Sequence, residues 1–389
     1  MKQIFYVLLM LKQHKKGSKF FDRASPSRSY GGILRILIVL YNSALFFQSP
    51  AQVKGEDRPV IHQRTIVSQP FLVDRIIPSM QGPFHTTDFK IYGPNRENGQ
   101  LAWLTSIQLE VLDAHTSRQL SEEFLCHANI NSHLPKAGSE NFPEDFYRSE
   151  QQKEMRILDL VQGHVGIQFP KGFGVPIMTG TAFNFGSMVV NNNPLAEPKQ
   201  VVIRASIHYV MDSEAAFMKP LKREAIAIKV PVEKTQKDSE QLPLVQPSKD
   251  HCDLPFFVDR DEPYHWLVPP GKHVYRRTFA ADSKFLYDTT VHYIAVHLHS
   301  YAISLELWDR TLNQRVFMSQ AKNYSDRIGI SHLQHYSSEE GIPVYRDHEY
   351  ELVSVYHNPT ESPVDAMAIM YLYYWDKKFD VAVLSRFVK

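Results

Sequence analysis

One stretch constrains this chain more than any other: Val291-His-Tyr-Ile-Ala-Val-His-Leu-His-Ser-Tyr301 reads as a buried β-strand. Side chains alternate across a strand, so His297 and His299, two residues apart, leave on one face side by side. Neutral imidazole suits copper, zinc, iron and nickel, and two from one rigid strand give a metal two ligands at little ordering cost. The competing reading is a polar sheet face, or histidines hydrogen-bonded within the protein.

Other runs share this strand character: Ala102–Leu112, Val201–Val210 with His208, Thr290–Leu298, Ser304–Trp308, Glu351–Val355 and Ala366–Trp375. No stretch sustains a helical period, a heptad or a tandem repeat. The 24 prolines, 19 tyrosines and 23 phenylalanines fit short strands separated by turns. The expected fold is all-β. At 389 residues the chain can fill two cores, so two tandem antiparallel β-sandwich domains of jelly-roll type are expected, at 56–232 and 251–389. The polar, proline-punctuated segment 233–250 reads as the linker between them.

Residues 1–55 stand apart: a basic stretch, an apolar run from Ile33 to Phe47 and small residues near Ala51 describe a secretory signal peptide, or else an uncleaved N-terminal membrane anchor. Both readings place the remainder outside the cytoplasm, periplasmic or secreted, with any membrane association confined to that segment. Cys126 and Cys252 are the two cysteines, enough for one bridge and too few for a disulfide scaffold. With 43 basic against 42 acidic residues, and no basic block interleaved with aromatics, nucleic acid is excluded as an expected partner.

Glu123–His133 carries Cys126, His127 and His133 as candidate ligands, Leu134–Arg156 reads as an insertion loop, and Gly172–Gly186 reads as tight turns around a short strand. In the C-terminal half, four elements recur in a particular order: Leu267-Val-Pro-Pro-Gly-Lys-His, Ile294-Ala-Val-His-Leu-His, Tyr350-Glu-Leu-Val-Ser-Val-Tyr-His-Asn and Asp365-Ala-Met-Ala-Ile-Met-Tyr-Leu-Tyr-Tyr. In these the chain resembles the copper type II, ascorbate-dependent monooxygenases, which include peptidylglycine α-hydroxylating and dopamine β-monooxygenases. The resemblance covers most of 251–376 and is thin before it.

That resemblance implies a catalytic copper on His297, His299 and Met367, with dioxygen as oxidant, ascorbate as reductant and C–H hydroxylation as the reaction. A soft thioether with two imidazoles favours Cu(I) and leaves a coordination position open. It also implies a second, electron-passing copper at Cys126-His127-Ala128 and His208, where the chain departs from the family by placing Cys126 at the first of two adjacent histidines. Of the peptide-binding positions only Tyr371 matches, while Ala295 and Ile369 replace the family's arginine and asparagine. A peptidyl-glycine substrate is therefore not expected, since alanine cannot fork onto a carboxylate. An unidentified small organic molecule is the expected substrate.

The remaining candidates receive plainer readings. His265, His273 and His348 sit in turn-like polar contexts and read as solvated; His332 and His335 read as loop; His292, five residues before His297, counts onto the opposite face. Met370 reads as core, and Glu361 and Asp365, flanking Pro363, read as solvent-facing. No nucleophile elbow, phosphate loop or His-Glu-x-x-His helix competes. The rival functions are a non-catalytic extracytoplasmic copper-binding or surface interaction protein, and a carbohydrate-binding sandwich using Trp266, Tyr301 and Tyr371–Trp375.

Overall fold

The computed structural model describes residues 60–380 apart from 80, 97, 134–153, 216 and 231–263. The expected N-terminal segment, linker, Cys252 and most of the insertion loop lie outside the described residues. The strands, in chain order, are β1 (His62–Val67), β2 (Phe71–Val73), β3 (Phe84–Lys90), β4 (Leu101–Asp113), β5 (Leu125–His133), β6 (Glu154–Val161) and β7 (Gly166–Gln168). Then come β8 (Phe173–Met178), β9 (Ala182–Val189), β10 (Lys199–Met211), β11 (Lys219–Ala227), β12 (Trp266–Val268), β13 (Gly271–Ala280) and β14 (Thr289–Leu298). The chain closes with β15 (Ala302–Asp309), β16 (Gln314–Asn323), β17 (Ile330–Leu333), β18 (Tyr336–Val344), β19 (Glu349–Asn358), β20 (Val364–Ala366) and β21 (Ala368–Trp375). The fold is all-β, with antiparallel sheets layered as β-sandwiches. Gly172–Gly186 holds β8 and the first part of β9, where the glycines suggested a single short strand.

The largest sheet runs β1-β10-β4-β8-β11-β21-β14-β18. A second, β3-β9-β5-β6, packs with its N-terminal part, and a third, β13-β19-β15-β16-β17, packs with its C-terminal part. Strands β14 and β21 lie in both cores. Tyr293, Ala295, Ile369, Tyr371 and Tyr373 belong to the first core, while Ile294, Val296, Leu298, Ala368, Met370 and Leu372 belong to the second. A strand buried on both faces has no solvent-facing position to mark with a polar residue, which is why these two read as unbroken apolar runs. Met370 falls in the second core, as its alternation implies.

The described residues fall within one compact unit. Strand β11 precedes the expected linker, yet it pairs along its length with β21, from Leu221 opposite Trp375 to Ala227 opposite Ile369. Its contact with β8 is a short parallel one, Lys219 with Phe173 and Pro220 with Gly174.

Between β5–β6 and the face of β21 lies a buried ionic cluster. Asp159 of β6 pairs with Arg223 of β11 and lies 3.4 Å from Arg156, and Arg223 stacks over the Tyr371 ring at 4.7 Å. Asp159 is 4 % exposed and each arginine 11 %, so removing the carboxylate strands two cations away from water. Loss of one member of such a cluster costs about 3–5 kcal/mol. Asp159→Ala is expected to lose that much in urea unfolding; a change under about 1 kcal/mol would mean the cluster is hydrated.

His164, in the turn between β6 and β7, sits 3.0 Å from the Tyr293 hydroxyl. Burial, with His335 and His332 nearby, pushes it down to about 3. The unfolded chain therefore takes up this proton first. The stability it confers is complete above pH 6.5 and is lost as pH falls toward 3, at about 1.4 kcal/mol per pH unit. Stability measured by denaturation at pH 7, 6, 5 and 4 should fall less steeply in His164→Gln than in wild type; parallel profiles would refute this assignment.

Candidate metal centre

His297 pairs with Ile369 and Leu298 with Ala368, the last pair of the ladder before β14 ends. Met367 shares the first core with Ile369. His297 and Met367 therefore border the same core, and His299 lies beside His297. The rings of His297 and His299 are 5.3 Å apart. Two imidazoles bound to one ion through nitrogens at about 2.0–2.1 Å set their ring centres roughly 5–6 Å apart, so the pair fits a shared metal.

The backbone around these residues is held by one phenol and one turn. The Tyr356 hydroxyl accepts the His299 N–H at 3.1 Å and donates to the Met367 carbonyl at 2.6 Å, joining the two segments that carry the expected ligands. Just beyond, Tyr301 takes a left-handed conformation with φ 70°, and its N–H donates to Asn323 Oδ1 at 2.7 Å. That residue type seldom adopts this conformation without such support, and the sharp turn it makes fixes where β14 ends. Tyr356→Phe leaves a buried N–H and a buried C=O with no partner in this arrangement. It is expected to cost about 1–3 kcal/mol in thermal unfolding, and a melting temperature equal to wild type would rule that out.

A carboxylate organises the imidazoles. Asp365 Oδ2 lies 2.7 Å from His299 Nδ1, and Asp365 Oδ1 lies 3.2 Å from His265 Nδ1. Burial pushes the Asp365 carboxyl upward, but His265 and His299 outweigh it and hold the group well below the usual carboxylate range. Burial, reinforced by His299, His127 and His265, holds His297 well below the usual imidazole range. His299 is lowered by burial too, with Asp365 opposing. Neutral imidazoles are the form that ligates a metal.

Among the described residues, His265, His299 and Asp365 are the histidine, cysteine and acidic side chains whose donor atoms gather within 4.8 Å of one another. The readings of His265 and Asp365 as solvated are thus corrected, since tertiary contact covers most of both side chains. His348 likewise is bound, with Nδ1 2.7 Å from Asp309. His292 does not take the opposite face: a register irregularity between Val291 and Tyr293 breaks the count, and its ring stacks on Phe173 at 3.9 Å. It is no ligand candidate, because its nitrogens meet Thr290 Oγ1 and the Ser338 carbonyl.

A cavity of about 290 Å³ opens beside the pair, lined by Ser79, Cys126, His297, His299 and Tyr301. The Ser79 hydroxyl lies 3.3 Å from His299 Nε2 and 3.9 Å from the buried free thiol of Cys126. His127 comes to the same place, its ring 6.1 Å from His297. His208 does not. It alternates along β10 with the core residues Ile207 and Tyr209, so it faces outward and contacts Ser106 Oγ at 3.0 Å. The donor set expected for a second copper is therefore split between two sheets, and Cys126, His127 and His208 do not fit one ion. Tyr371 lies under Arg223 and is not among the residues lining the cavity.

Sequence reasoning passed over His265, Asp365, Ser79 and Tyr356. A signal for one of them existed: Asp365 and Met367 are two apart, so any extended conformation puts them on one face.

No family model matches the chain, and no curated protein does. Among solved structures, PNGF-II is similar at 8% identity and a TM-score of 0.30, over 79% of this chain and 65% of that one. PNGase F, a glycosylasparaginase from Flavobacterium meningosepticum, is similar at 8% identity and 0.32, over 81% and 96%. The Macrobrachium rosenbergii nodavirus structure is similar at 10% identity and 0.18, over 86% and 96%. The chain spans about two thirds of PNGF-II. Overlap at these TM-scores says nothing about the chemistry of the site.

Proposed function

We propose that this chain is a copper-dependent, monooxygenase-like protein that acts outside the cytoplasm and holds one copper on His297, His299 and Met367. The observation that carries the reading is the pair of imidazoles with rings 5.3 Å apart, both lining a cavity, with His297 opposite Ile369 of the core that also holds Met367. Copper, when bound, supplies the one-electron chemistry with dioxygen by which a C–H bond is hydroxylated, with ascorbate as the external reductant. The protein's own residues do the rest. His297 and His299 stay neutral and present nitrogen donors, Met367 adds a soft donor suited to Cu(I), and Tyr356 keeps their backbones in register. The cavity of about 290 Å³ is of a size for a small organic molecule.

Because His208 faces away from His127, the reading involves one copper rather than two. A protein that binds this copper without turning over is the second reading, favoured by that same separation. No helix among the described residues is long and apolar enough to cross a membrane.

Copper counted per chain after loading and desalting tests the site. One copper is expected in wild type and in His208→Ala, and none in His297→Ala. Ascorbate-dependent oxygen uptake then tests the chemistry. Met367→Ile is expected to lower it at least about tenfold, a change in barrier of about 1.4 kcal/mol. Full uptake and full copper in that variant would overturn the catalytic assignment, and copper without uptake in wild type would establish the binding protein instead.

A further inference from the structure

We infer that Asp365, His265 and His299 form the binding site of a divalent cation of the zinc class, held by two imidazoles and one carboxylate. The position uses His299 but neither His297 nor Met367, so it goes beyond the copper reading and can fail without it. Neither the strand pattern nor the family resemblance assigns His265 or Asp365 to a metal.

Three segments of the chain meet here. Trp266 of β12 lies opposite Ala366 of β20, and Leu267 opposite Asp365, which brings the loop ahead of β12 to the carboxylate. His299 arrives from the end of β14, its N–H held by the Tyr356 hydroxyl. One donor atom from each of His265, His299 and Asp365 lies within 4.8 Å of the other two.

The closest contact among them is not a hydrogen bond. His299 Nδ1 and Asp365 Oδ2 are 2.7 Å apart, yet they are not aligned for one, and neither buried atom has another hydrogen-bond partner. The His299 side chain is only 9 % exposed, so bulk water is a poor substitute. A neutral imidazole has one N–H and one lone pair. With the Ser79 hydroxyl accepting from Nε2 at 3.3 Å, the lone pair falls on Nδ1, toward Asp365. Two atoms that both bear lone pairs repel at this distance unless a cation draws them together. Donors at about 2.0–2.2 Å from a common ion lie roughly 3 Å apart when they subtend about a right angle at it.

His265 supplies the second imidazole. Its Nδ1 lies 3.2 Å from Asp365 Oδ1, and its ring is 5.2 Å from that of His299, within the roughly 5–6 Å expected for two imidazoles on one ion. Like the other two residues it has a surplus atom, for its Nε2 is buried without a hydrogen-bond partner. Two imidazoles and a carboxylate are a donor set of open zinc and ferrous sites, and the hard oxygen suits a divalent ion better than Cu(I). Asp365 and His299 both line the cavity of about 290 Å³, from which water or a substrate oxygen can complete the coordination. Since neutral His299 has one lone pair, it serves this ion or copper but not both at once.

Zinc alone tests the site, by competition titration of the full chain against a chromogenic chelator and X-ray absorption at the zinc edge of the loaded protein. Wild type is expected to bind one Zn(II) tightly through nitrogen and oxygen only, with two imidazoles. His265→Ala and Asp365→Asn are each expected to weaken that affinity at least tenfold, and His297→Ala to leave it within threefold. Wild type that takes up no zinc, or that holds it through sulfur, would overturn the inference without any variant folding. So would wild-type affinity in His265→Ala, or zinc lost in His297→Ala and kept in Asp365→Asn, which would move the ion to the copper donors. The copper reading fails separately: wild type that binds zinc in this way and takes up no copper would leave this site standing.

Discussion

The burial of β14 and β21 on both faces is the constraint on which the rest of the molecule depends. Two adjacent strands that each serve two cores must present apolar side chains in both directions, and they must be covered by a sheet on each side. The polar residues on this pair then stand out. His297 sits on a face otherwise occupied by Tyr293, Ala295 and Ile369, in surroundings where an unpaired charge would be costly and a neutral donor is not. The same burial accounts for the ionic cluster in which Arg156 and Asp159 of the covering sheet meet Arg223, which lies beside Tyr371 and Tyr373 in the large sheet. The layer between the two sheets is consequently a mixed one, with hydrocarbon along most of its length and a paired polar strip at β5 and β6.

Much of this was legible in the chain. The strands at 101–113, 199–211, 289–298, 302–309, 349–358 and 368–375 all coincide with apolar runs, because local propensity and burial agree there. The neighbouring positions of His297 and His299 followed from counting by twos. So, in principle, did the exclusion of His208, whose neighbours Ile207 and Tyr209 were the core-facing members of their strand.

What could not be read was decided by contacts distant in sequence. Asp365 follows Pro363 in a stretch with every local mark of an exposed turn, and the approach of His265 and His299, distant in sequence, covers most of it. The partnership of β11 with β21 leaves no local trace, since a strand's composition does not say across which boundary it will pair. His292 failed for a different reason. Parity counting assumes an unbroken pleat, and the irregularity between Val291 and Tyr293 resets the count.

The Tyr356 hydroxyl bridge has a further consequence. Because one phenol joins the backbone at His299 to the backbone at Met367, the end of β14 and the start of β21 shift together or not at all. Tyr356 itself stands on β19, in the sheet opposite β14 and β21, so the same bridge ties the two layers together where those strands end. Neither layer can slide past the other at that point without breaking it.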